Sequence, residues 1–144
     1  WLERGLYPPA PAETLTLGLS AGEEVARIAR LRLSGDTPLA IERATLASTI
    51  LPDPEAIENS LYAHLARRNN RPVRAIQRIR AVNLGAEDAR LLEVPAGAAS
   101  LSIERLSYLA SGRVIEFTRS MYRGDAYDFV AELRLSGQIQ SGTR

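Results

Sequence analysis

The side chains best suited to chemistry stand on alternating positions of extended runs. Arg30 and Arg32 are two apart within VARIARLRLS, residues 25–34. Residues two apart on a strand share a face, so both guanidiniums project together and Leu31 and Leu33 take the other side. A planar guanidinium donates two parallel hydrogen bonds to a carboxylate or phosphate. The plainer alternative is a half-buried strand with leucines inward and arginines in water. A second row lies in VIEFTRSMY, residues 114–122. Glu116, Thr118, Ser120 and Tyr122 share one parity; Ile115, Phe117 and Met121, interrupted by Arg119, share the other. The first row offers a carboxylate, hydroxyls and a flat phenol to a wet cavity or to solvent. The second reads as core.

Glu42 joins the arginines or leaves them according to one turn. A three-residue loop over Gly35–Thr37 sets Arg30 opposite Glu42; a two-residue loop, Gly35–Asp36, sets it opposite Ile41. Gly35 is not in the usual third position of a three-residue loop, so a bulge is one way to restore the geometry. Ser60 caps a helix expected over Leu61–Asn69, and the same helix start presents free amides. Capping alone explains Ser60 economically. His64 reads as a helix-surface or half-buried polar residue with no acid or nucleophile placed to use it. Arg67, Arg68 and Arg71 cluster at the helix end, where the dipole alone favours them.

The elements that must position these groups alternate along the chain. Pro8, Pro9 and Pro11 disfavour a helix, so residues 1–19 read as an extended arm, with Thr14–Leu17 a candidate short strand. Residues 20–135 form the domain. Strands are expected over Val25–Ser34, Pro38–Thr45, Val73–Val82, Ala99–Leu109, Val114–Tyr122 and Tyr127–Leu135. A helical turn is expected near Pro54–Ile57 and a short helix over Gly85–Leu92, anchored by Leu91, Leu92 and Val94. Residues 136–144, rich in Gly, Ser and Thr, read as a flexible tail. Long antiparallel strands with few helices give an α+β fold.

The 144 residues carry 18 Lys+Arg against 17 Asp+Glu, a net charge of +1. That balance argues against a broad nucleic-acid-gripping face. With no cysteine, a disulfide, a thiol nucleophile and a thiolate metal site are excluded. One histidine leaves little room for a metal cluster, so neither metal nor cofactor is expected. No apolar run spans a bilayer and no signal segment opens the chain. No membrane partner is therefore expected, and the cytoplasm is the default location. Trp1 is not an initiator residue, which suggests an excised or processed piece with a module upstream.

Taken in order, Arg30-Leu31-Arg32, Pro38-Leu39-Ala40-Ile41-Glu42, Ser60-Leu61-Tyr62, Leu91-Leu92-Glu93-Val94, Glu104-Arg105 and Tyr122-Arg123-Gly124-Asp125-Ala126-Tyr127 resemble the UTRA domain. This is the effector-binding module of the HutC subfamily of GntR transcription regulators. The resemblance runs from about Val25 to Phe129. It implies a chorismate-lyase-like fold, a central antiparallel sheet with flanking helices. It implies binding of a small anionic metabolite without turnover, a homodimer, and DNA contact only through a separate N-terminal winged helix-turn-helix module. In members sensing amino-sugar phosphates such as glucosamine-6-phosphate or N-acetylglucosamine-6-phosphate, the matching ligand contacts are Arg30, Arg32, Glu42, Ser60, Glu116 and Tyr122. A further arginine corresponds to Arg71, with Arg78 the alternative. Two other readings stand beside it: a dimerisation domain that retains no effector, and a chorismate-lyase-like enzyme in which Glu42 or Glu116 assists elimination.

Overall fold

The run at residues 25–34 becomes a strand over its whole predicted length. In the computed structural model, which describes residues 1–135, it is β2 (Val25–Ser34). It joins β1 (Glu3–Tyr7), β3 (Thr37–Ala47), β4 (Arg74–Asn83), β5 (Ala99–Tyr108) and β6 (Val114–Arg123). These six strands form one antiparallel sheet in the order β1-β2-β3-β6-β5-β4. Helices α1 (Pro11–Leu17), α2 (Leu61–Arg67) and α3 (Ala86–Leu91) flank it, with a 3-10 turn at Pro54–Ala56. This is the expected α+β class. None of the described helices is long and apolar enough to cross a membrane.

Strand alternation divides the core in two. On one face Ala26, Ile28, Ala44 and Leu46 pack with Leu51 and Ile57 of the following loop and with Leu61 and Leu65 of α2. On the other, Ile41 meets Leu84, Ala89 and Leu92 around α3, with Leu31 and Met121 against them. Ile115 departs from the expected parity and packs with the α2 cluster. It is the unpaired residue of an irregularity in which Ser107 faces Glu116 and Tyr108 faces Val114.

The β2–β3 turn resolves the open register. Ser34 faces Thr37, so the loop has two residues, and Gly35 alone takes positive φ, at 58°. Positive φ at the first central position is the signature of a type II′ turn, where glycine belongs. Leu33 then faces Pro38 while Arg32 faces Ala40, leaving Leu39 as a bulge, and Arg30 faces Glu42. The tight loop and the shared face coexist because one extra residue is absorbed beside the turn.

Three expectations are corrected. Residues 1–19 are not an arm: Glu3–Tyr7 pairs with β2 as an edge strand, and Thr14–Leu17 is helical. Pro11 sits at the first helical position, where its missing N–H costs nothing, and Gly18 ends the helix at φ 62°. Arg27 clamps Glu13 with bonds of 2.8 and 2.7 Å, holding α1 against the sheet. Second, α2 stops at Arg67 rather than Asn69, because Asn69 turns to φ 58°. Third, Tyr127–Leu135 forms no strand, since no other strand of the described chain pairs with it. The tail expected at 136–144 lies outside the described residues.

Candidate functional site

A cleft of about 440 Å³ opens on the α2 face of the sheet. α2 is only seven residues long. Its apolar stripe covers the sheet near Ile28 and Leu46 and leaves the polar row beyond them uncovered. Into that gap project Arg30 and Arg32 from β2, Glu42 from β3, and Glu116, Thr118, Ser120 and Tyr122 from β6. Ser60 and Tyr62 enter from the start of α2. The sheet register explains the gathering, since Arg30 faces Glu42 and Glu42 faces Ser120 across three adjacent strands.

Glu42 is the hinge of the first charged group. Its Oε2 accepts from Arg30 Nη2 at 3.1 Å and from Arg32 Nε at 3.0 Å. Arg30 also donates from Nη1 to the Asn59 carbonyl at 2.9 Å. The Arg30 side chain is 18% exposed and that of Arg32 50%, so Arg30 lies inside and Arg32 at the mouth. Ser60 performs its local task, its Oγ accepting from the Ala63 amide at 3.2 Å. That bond uses a lone pair and leaves the hydroxyl proton to donate.

The second group centres on Arg105, which the sequence reading quoted only within Glu104-Arg105 and gave no ligand role. Arg105 faces Thr118 on β6 and Gln77 on β4, and so shares the cleft side. It donates to the Tyr62 hydroxyl at 3.0 Å and twice to Gln77 Oε1, at 3.2 and 3.1 Å. Burial works against its charge, but the Tyr62 bond and nearby Glu116 and Tyr122 outweigh it and raise its pKa. The available signal was its parity: pairing β5 with β6 puts Arg105 beside the polar row. Tyr122 has its pKa raised, first by burial and then by Glu42 and Tyr127, which keeps its hydroxyl a donor. The Tyr127 ring stacks on Tyr122 with centroids 4.2 Å apart.

Glu116 is 2% exposed. Its Oε1 accepts from the Thr118 hydroxyl, whereas Oε2 is buried without a partner. A buried acceptor left unpaired is costly, so this oxygen is poised for a donor brought in from outside. Arg71 is not in the cleft. It is exposed and lines a separate shallow depression with Ala63, Ala66 and Pro72. Arg78 is exposed on β4, and its neighbour Gln77 takes the cleft face. His64 is buried rather than on the helix surface, and its pKa is lowered by burial and then by Arg68 and Arg67.

The cleft thus holds three guanidiniums, two carboxylates and several hydroxyls, without a lining histidine or cysteine. Such a set can grip a polar anion and its hydroxyls.

A family model described as the UTRA domain matches residues 1–128. The HTH-type transcriptional repressor NagR of Bacillus subtilis is 34% identical over 117 residues, covering 79% of this chain and 48% of that protein. The HTH-type transcriptional regulator GgaR of Escherichia coli K12 is 28% identical over 132 residues, covering 92% and 53%. The chain therefore spans about half the length of these curated relatives. Among solved structures, the effector domain of PhnF from Mycobacterium smegmatis superposes with a TM-score of 0.86 at 25% identity, covering 93% of this chain and 85% of that one. The ligand-binding domain of a GntR-family regulator from Bordetella bronchiseptica gives 0.84 at 29% identity, covering 92% and 88%.

Proposed function

The chain belongs to the UTRA domain family, and from that premise we propose that its cleft binds a phosphorylated amino sugar or a similar small anion. The observation that carries this reading is the convergence of Arg30, Arg32, Arg105 and Ser60 with Glu42, Glu116 and Tyr122 around one hollow. Guanidiniums and a hydroxyl suit a phosphate. Carboxylates and a phenol suit sugar hydroxyls and an amine or amide. In this reading the phosphate lies near Ser60 and Arg30, while the sugar meets Glu42, Glu116 and Tyr122. Arg32 orders Glu42 or contacts the ligand. Arg105 takes the place first assigned to Arg71.

The domain then acts as the sensor of a GntR-type transcription regulator of the HutC subfamily. It binds without turnover, pairs as a homodimer, and alters how a separate winged helix-turn-helix module holds DNA in the cytoplasm. Such coupling requires the effector to favour one arrangement of the dimer over another. The similarity to a repressor named NagR supports the sugar class, and its being a transcriptional repressor supports binding over catalysis.

Calorimetric titration with glucosamine-6-phosphate and N-acetylglucosamine-6-phosphate tests it, with saturable heat the expected result. Arg30→Ala and Arg105→Ala each weaken the phosphorylated ligand by roughly tenfold to a hundredfold, a loss typical of a charge-assisted bond, and weaken the unphosphorylated sugar less. Arg71→Ala leaves both unchanged. No heat at millimolar ligand removes the sugar-phosphate reading, and conversion of chorismate to 4-hydroxybenzoate and pyruvate would replace it with an enzyme.

A further inference from the structure

We propose that Trp1 and Arg4 are positioning residues of the cleft. Trp1 stacks on the Arg30 guanidinium, Arg4 ties down the run leading to Ser60, and together they set the end of the cleft that receives the anion. This rests on the reading of the cleft as an anion site and adds two residues that do not line it. The centroid of the Trp1 ring lies 5.2 Å from Arg30 Cζ and 4.6 Å from Arg4 Cζ. Both distances fall within the roughly 6 Å over which an aromatic face attracts a cation. The Leu2 amide donates to the Ala29 carbonyl at 2.8 Å, which fixes Trp1 beside the strand that carries Arg30.

The run before Ser60 explains why two guanidiniums meet at one ring. Arg4 donates from Nη1 to the Glu55 carbonyl at 3.1 Å and to the Ile57 carbonyl at 3.3 Å. Arg30 donates from Nη1 to the Asn59 carbonyl at 2.9 Å. Carbonyls at alternate positions are thus held by two side chains that share an aromatic neighbour. The next residue is Ser60, the N-cap of α2. The place of the Ser60 hydroxyl relative to Arg30 is therefore fixed from the β1 edge as well as from α2.

Stacking engages the face of a guanidinium and leaves its edge N–H groups for hydrogen bonds. Arg30 donates to Glu42 and to Asn59, and its other N–H groups stay available to an anion. Positive charge is also in surplus here. Glu42 is shared between Arg30 and Arg32, and Arg4 forms no ion pair among the described residues. Three guanidiniums on one carboxylate draw an anionic group to this end of the cleft, whereas Arg105 at the other end has Glu116 nearby. Without the ring, the long Arg30 side chain must be ordered at each binding event, which costs rotamer entropy and therefore affinity.

Trp1 is the only tryptophan of the chain, so its fluorescence reads the stack. In the ligand-free 144-residue chain, Arg4→Ala with Arg30→Ala should free the ring, shifting its emission to longer wavelength and raising its quenching by acrylamide. In the unaltered chain, inorganic phosphate and glucosamine-6-phosphate should each change Trp1 emission saturably. By calorimetry, Trp1→Leu should weaken both probes roughly fivefold, the scale of one cation–π contact, with the urea midpoint unmoved. Trp1→Phe, which restores an aromatic face, should recover most of that loss. Emission and quenching unchanged in the double variant, Trp1 emission silent to both probes, Trp1→Leu binding as tightly as the unaltered chain, or Trp1→Phe failing to rescue it would overturn the proposal. If glucosamine-6-phosphate gives no heat while inorganic phosphate still moves Trp1 emission and Trp1→Leu weakens it, the sugar class falls and the role of Trp1 stands.

Discussion

Two adjacent rows of the same strands have opposite fates. Arg30, Glu42 and Ser120 face one another across β2, β3 and β6; one residue along, Leu31, Ile41 and Met121 do the same on the other side. The second row lies under α3, and Ile41 is wholly buried against Leu92 and Ala89. The first lies beyond α2 and stays an open cleft. Backbone, twist and pairing are common to both rows. What differs is the position of the covering element: α3, six residues long, lies over the second row, whereas α2, seven residues long, packs beside the first against Ile28 and Leu46.

If one row serves stability and the other binding, substitutions should separate them. The largest effect on stability belongs to Ile41→Ala, which should cost about 3 kcal/mol in urea denaturation through lost burial and a residual cavity, while ligand affinity in the folded fraction is retained. Glu116→Gln should do the reverse: the amide oxygen keeps the bond from Thr118 and one unpaired buried polar atom replaces another, so stability changes by less than about 1 kcal/mol, while affinity for the sugar phosphate falls. A larger loss of stability would show that Glu116 serves the fold. The smallest effect is one of pH. His64 faces Arg67, Arg68 and Asp53, and its folded pKa lies below the ordinary value. The unfolded chain therefore binds the proton more readily, and stability declines as pH falls below about 6.5. His64→Gln should flatten urea midpoints between pH 7.5 and 5. Glu13, whose pKa is lowered first by its bond from Arg27, loses its contribution only below the ordinary carboxylate range and leaves that window undisturbed.

Much of the cleft was legible because it is built on strands, where parity fixes direction. Six of the seven residues anticipated as ligand contacts line it: Arg30, Arg32, Glu42, Ser60, Glu116 and Tyr122. Arg71 failed because it lies past a helix end, where Asn69 reverses the chain and spacing no longer predicts direction. Arg105 was passed over because its neighbours Ile103 and Ser107 do not advertise a polar row; only its pairing with Thr118 and Gln77 does. The N-terminal helix was hidden by its prolines, which forbid a helix interior but suit its first turn. The run at 127–135 carries a strand pattern but pairs with no strand among the described residues. Ile115 broke parity at an irregular pair, a local event that periodicity cannot register.

The bulge at Leu39 has a consequence for how the hairpin tolerates insertions and deletions. The register from Arg32 inward is held by β6 as well as β2, and the surplus residue is stored between that region and the tip. Deleting Leu39 would leave Leu33 opposite Pro38 and Arg32 opposite Ala40, with the guanidinium–carboxylate pairing intact. The tip is thus a length buffer, and the recognition chemistry behind it is insulated from single-codon changes that would turn a regular ladder inside out.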